Sequence, residues 1–132
     1  MMEETIQKLN SILEKAPKLL LEMNEASLSL KELPDKWSKK EILGHLIDSA
    51  TNNHHRIIRA QFELNPEVVY DQNEWNKFNF YQEIESLQII HFWIMYNRQL
   101  VEIIRRIPKS SLSKQVSVHG SLLTLEYSIR DY

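Results

Sequence analysis

The sequence has no cysteine and, across 132 residues, only two glycines and four prolines. Without cysteine there can be no disulfide, no thiolate nucleophile and no cysteine-bound zinc. A chain without disulfides suits the cytoplasm, which is the expected location. Scarce Gly and Pro argue against an all-β domain, whose many turns recruit those residues, and favour long helices with few connections. No apolar run approaches the roughly 18 residues of a membrane span, so no membrane partner is expected. The start, "MMEETIQKLN", is polar and acidic, unlike a secretory signal. Charge of one sign is also missing. Eighteen acids and sixteen bases are interspersed for a net −2, so no basic patch points to nucleic acid.

What is present is a 42% hydrophobic content, enough for one domain with one core over residues 1–132. In residues 2–28, Ile6, Leu9, Leu13, Leu20 and Met23 recur at helical spacing, and Pro17 predicts a kink or a short break. A loop over 29–37 follows. Ser38 and Glu41 then form an S-x-x-E capping box, with Trp37 and Ile42 spaced as a hydrophobic staple. This helix is predicted to run over 39–64, ending before Pro66. Residues 65–79 form a long connection, and a third helix is expected over 80–107, ending at Pro108. Residues 113–125 suggest a small hairpin or extended excursion around His119-Gly120. Thr124 is placed as the N-cap of a last helix, "LEYSIRDY", which is cut short at Tyr132.

On a wheel of the 39–64 helix, His45, Ser49, Asn52 and Arg56 share a stripe, with Asp48 and Arg59 beside it. A metal-binding imidazole needs a partner to orient it, and Asp48 lies one turn from His45. The simpler reading is a solvated face. Gly44 interrupts the helix at a cost of about 1 kcal/mol relative to Ala. Either close packing or room for a ligand explains it. His54 lies on the apolar side, where a hydrogen-bonded structural role is expected. His91 is read as a satisfied core histidine and His119 as a turn residue. No H-x-x-x-H or H-E-x-x-H pair occurs. The stretch "YDQNEW", with Tyr70, Asp71, Gln72 and Trp75, reads either as a functional loop or, preferably, as an aromatic lid over a bundle end.

"W-S-x-x-E-I-L-G-H-L-x-D-S" resembles the helix-two motif of the DinB-like (YfiT-like) superfamily of metal-dependent enzymes. "Y-D-Q-N-E-W" and "T-L-E-Y-S-I-R-D-Y" resemble their counterparts in one bacterial branch. The resemblance implies an all-α, four-helix bundle, usually a homodimer, here with its fourth helix cut short at Tyr132 and its C-terminal helix lacking. It implies a divalent metal, nickel or zinc, held by three histidines. His45 matches the first ligand. The other two normally come from an H-x-x-x-H pair after "R-D-Y", and this sequence has none. Asp48, Ser49, Asn52 and Arg56 would line the cleft. A thiol S-transferase using a small thiol such as bacillithiol or mycothiol, or a hydrolase, is the implied function, acting on a small-molecule substrate. The rival reading is a non-catalytic bundle that serves binding or dimerisation without a complete metal site.

Overall fold

Three long helices carry the fold of this computed structural model, which describes residues 2–132. They are α1 (Met2–Leu21), α3 (Lys39–Arg59) and α5 (Ser86–Arg106). Short helices α2 (Glu25–Ser29), α4 (Gln72–Phe78) and α6 (Leu125–Asp131) join them. Lys40, at the start of α3, reaches Glu25 and the Gln82 carbonyl, while Ser86, at the start of α5, also bonds Glu25. Helices α3 and α5 therefore begin at the same end and run parallel. Helix α1 runs against them, since Leu20 and Met23 at its end lie beside Ser86 and Ile90. Helix α6 returns from the far end, packing Leu125 and Ile129 onto Ile57, Ala60 and Ile104. The order is up, down, down, up.

Helix α1 continues through Pro17, and the break comes later, at residues 22–24. Pro17 is buried with Ile6 and Leu13 on one stripe, and that burial offsets the lost backbone hydrogen bond. Helix α3 ends at Arg59 rather than 64. Successive turns take the chain to Asn65, at φ 45°, and Pro66, where it pairs with the hairpin. The 65–79 connection is not a plain loop. Asp71 caps α4 by accepting from the Asn73 and Glu74 N–H groups, a favourable N-cap. The third long helix starts at Ser86, not 80. Phe80 is left-handed, with φ 55°, and a single 3₁₀ turn over Tyr81–Glu83 precedes it.

The expected hairpin is present. Strands β1 (Gln115–Val118) and β2 (Ser121–Thr124) pair antiparallel around His119 (φ 50°) and Gly120 (φ 80°). Two successive left-handed residues are what a two-residue type I′ turn requires. Backbone bonds between Ser117 and both Pro66 and Val68 fasten the connection to β1. Thr124 accepts from the Tyr127 N–H and caps α6.

Two apolar clusters result. At the hairpin end, Ile6, Ile57, Ala60, Val101, Ile104, Val116, Leu125 and Ile129 form an aliphatic core. At the other end, Leu13, Leu28, Leu43, Ile47, Ile89 and Ile90 pack with Tyr81 and Trp93. No helix among the described residues is long and apolar enough to cross a membrane.

Candidate functional site

Helix α3 starts where the sequence predicts. Ser38 Oγ accepts from the Glu41 N–H at 3.1 Å, and the Glu41 carboxylate accepts from the Ser38 N–H at 3.1 Å. The staple does not form as expected. Ile42 is exposed, and Trp37 instead lies against the His45 imidazole, with ring centroids 5.1 Å apart. An indole contact of this kind holds the imidazole in one orientation.

The polar stripe of α3 is not a solvated face. Asp48, Asn52 and Asn53 are buried; His45, Ser49, Arg56 and Arg59 are half-buried. The 66–81 segment covers them. Asn76 donates to the Glu41 carbonyl at 2.8 Å, and Arg56 donates to the Val68 carbonyl at 3.0 Å. These bonds dock α4 and its lead-in along α3.

Asp48 lies at the centre, 1% exposed. Its Oδ1 accepts from the Tyr81 hydroxyl at 2.6 Å and from Asn79 Nδ2 at 2.8 Å. Its Oδ2 is buried with no partner, and so is Nδ1 of His45 one turn away. Burial raises the Asp48 pKa above the usual carboxylate range, opposed by the Tyr81 hydroxyl, the His45 imidazole and Asn79. Burial, together with the Asp48 carboxylate, pushes the Tyr81 phenol up, so Tyr81 remains a donor.

Gly44 is explained by packing. A Cβ there would overlap the Tyr81 ring, with the farthest of three ring carbons at 2.6 Å. The missing side chain lets Tyr81 lie flat on α3 and reach Asp48 one turn on.

Arg56 donates to Val68 and Asn53, both neutral acceptors, and burial lowers its pKa. Asn52 donates to the Asp48 carbonyl. Tyr70 meets Trp75 edge to face at 5.7 Å, and its phenol is raised by burial and by Asp48. Trp75 and Asn52 line a groove of about 470 Å³ with Val68, Val69, His55 and Arg59. Asp71 is exposed and caps α4; Gln72 is exposed at its first turn. His54 accepts from or donates to the Tyr96 hydroxyl at 3.0 Å, in the hydrogen-bonded role expected. His91 is exposed, contrary to the core expectation, because it falls on the outer side of α5.

Asn76, Asn79 and Tyr81 are the residues that sequence reasoning missed. Their signal was faint: two amides three apart, followed by an aromatic, in a segment read as a loop.

Metal fits this site only in part. His45 Nδ1 and Asp48 Oδ2 are orphaned buried atoms of the right chemical type. Among the described residues, however, no group of three His, Cys, Asp or Glu side chains could hold an ion.

No family profile matches the sequence. No curated protein matches it significantly either. The fold is matched by solved structures. YfiT from Bacillus subtilis, described as a probable metal-dependent hydrolase with an unusual four-helix bundle topology, aligns with a TM-score of 0.84 and 18% identity. The match covers 98% of this chain and 75% of YfiT. The mycothiol-dependent maleylpyruvate isomerase aligns with a TM-score of 0.79 and 14% identity, over 98% of this chain and 55% of the isomerase. This chain therefore spans about half the isomerase's length. At such identities the likeness is one of fold, and the chain has the DinB-like four-helix-bundle fold of these two proteins.

Proposed function

We propose that the protein is a metal-dependent enzyme of the hydrolase or thiol S-transferase type, working at the α3 face around His45. The observation that carries this reading is the pair of buried, unpartnered atoms, His45 Nδ1 and Asp48 Oδ2, on neighbouring turns of one helix. Buried polar groups are almost always partnered, so an unpaired acceptor beside an imidazole marks a place kept for a ligand. The fold supports the class, since YfiT is described as metal-dependent and the isomerase as mycothiol-dependent.

In this reading His45 would offer a ring nitrogen to a divalent ion, nickel or zinc, and Asp48 would supply its unpartnered carboxylate oxygen to the same site. Among the described residues His45 and Asp48 would be the only such ligands on this face, and no third one joins them. A bound ion of this kind lowers the pKa of a water or a cosubstrate thiol. The chain's own residues do the rest. Trp37 fixes the His45 ring. Tyr81 and Asn79 fix Asp48. Arg56, whose acceptors are all neutral, carries a positive charge toward an anionic group of a small-molecule substrate. Trp75, backed edge to face by Tyr70, walls the adjoining groove and would limit water. A homodimer is part of the proposal, supported by exposed Leu87, Phe92 and Met95 on α5.

The same exposed residues favour the second reading, a non-catalytic module that dimerises or binds a partner helix. Metal analysis separates the two. The complete gene product, purified without a histidine tag, is expected to hold about one nickel or zinc per chain. His45→Ala is expected to lose it. Full metal content in His45→Ala would sink the ligand assignment.

A further inference from the structure

We infer that Tyr81 and Asn79 act together as the positioning device of this site, holding Asp48 so that one carboxylate oxygen stays free beside His45. The inference rests on the reading of His45 and Asp48 as a ligand site, and it adds how the free oxygen is kept free.

Three independent features converge on residues 79 to 81. Asn79 and Tyr81 both donate to the same atom, Asp48 Oδ1, at 2.8 and 2.6 Å. A carboxylate has two equivalent oxygens, and two donors would ordinarily spread over both. Concentrating them on Oδ1 leaves Oδ2 bare. Between the two donors lies Phe80, at φ 55°. A left-handed, bulky, non-glycine residue is strained by roughly 1–2 kcal/mol, and such strain persists only where its surroundings enforce it. Phe80 itself is 56% exposed, so no burial of its own ring accounts for the conformation. What the turn achieves is to aim residues 79 and 81 at one point on α3. Finally, Gly44 removes the one side chain that would hold the Tyr81 ring away. A network behind the turn fixes it further. Gln82 accepts from the Ser38 hydroxyl and donates to the Ser29 carbonyl, and its own carbonyl accepts from Lys40.

The consequence is chemical. Asp48 cannot rotate to satisfy its second oxygen without abandoning two hydrogen bonds. The free oxygen is therefore presented to whatever binds at His45, a cation or a hydrogen-bond donor. Tyr81 and Asn79 touch neither, and act through Asp48.

The test uses Tyr81→Phe, which keeps the ring on Gly44, and Asn79→Ala, which trims an exposed residue. Two quantities are read. The first is the orientation of the Asp48 carboxylate about its Cβ–Cγ bond in crystal structures of the wild type and both variants, without metal. One orientation is expected in the wild type and a rotated or second one in each variant, and Tyr81→Phe, which loses a hydrogen bond to a buried carboxylate, is expected to melt at a lower temperature. The second is zinc affinity of the complete protein, expected to fall about tenfold in each variant, as for residues that orient a metal site from behind. An unchanged carboxylate orientation in both variants would overturn the inference, as would unchanged zinc affinity where His45→Ala abolishes binding. Zinc that binds neither wild type nor His45→Ala counts against the metal reading, and the carboxylate orientation then decides the positioning role alone.

Discussion

The two ends of the bundle are built on different principles. The hairpin end is aliphatic: Ile57, Leu125 and Val116 are buried among other hydrocarbon side chains. The opposite end carries Ser38, Lys40, Asn76 and Ser86 in buried positions, with Asp48 buried at mid-helix beside it and Tyr81 and Trp93 among its apolar partners. Hydrocarbon packing is tolerant of detail and supplies stability. Buried polar groups demand defined partners and supply geometry. The orphaned atoms of His45 and Asp48 lie together on one stretch of α3, whereas at the hairpin end a single hydroxyl, Ser128 Oγ on α6, is left without a partner. The lesson is a division of labour along one set of helices: one end holds the fold, and the other holds a site that the fold tolerates.

That division can be broken at its strong end first. Ile57→Ala removes a fully buried side chain from the aliphatic cluster and leaves a cavity. It is expected to cost about 3–4 kcal/mol, read by urea denaturation. A loss under about 1 kcal/mol would mean that the hairpin end does not carry the stability.

At the polar end, Gly44→Ala is the next largest. Helix propensity alone would favour Ala by about 1 kcal/mol. The overlap with Tyr81 reverses the sign, and a net loss of about 1–2 kcal/mol is expected. In a Tyr81→Ala background the same change should stabilise instead. A double-mutant cycle without that reversal would remove Tyr81 as the reason for the glycine.

Ser38→Ala is the mildest of the three. It deletes the N-cap and the bond to Gln82, and about 1 kcal/mol is expected to be lost by thermal unfolding. The His45 resonances should broaden or shift with it, since the cap sets where α3 begins.

How much of this was legible in the sequence follows from what is local. The capping box at Ser38, the N-cap at Thr124 and the turn at His119-Gly120 depend on residues within four positions of one another, and each appears as read. The long helices are legible for the same reason. Helix α4 was not, because its seven residues are too short to persist alone and rely on Asn76 docking against Glu41. The late start of α5 depends on left-handed Phe80, whose conformation no propensity favours. The polar stripe of α3 was legible as a stripe, but not as a buried one, since the cover comes from residues 66–81. Gly44 shows the same limit. Its neighbour in space, Tyr81, is 37 positions away along the chain.

Asp48 is held buried and incompletely partnered, at some expense to the fold. Burial raises its folded pKa above the unfolded value. Its contribution to stability is then full at acid pH, below the unfolded value, and is lost as the pH rises through the folded value. Asn resembles the protonated acid, still accepts from Tyr81 and Asn79, and carries no charge. The direct measurement is the unfolding free energy of Asp48→Asn against wild type from acid to neutral pH, without added metal. The variant is expected to be the more stable protein at neutral pH, with the gap closing as the pH falls. A variant less stable than wild type at neutral pH would contradict it.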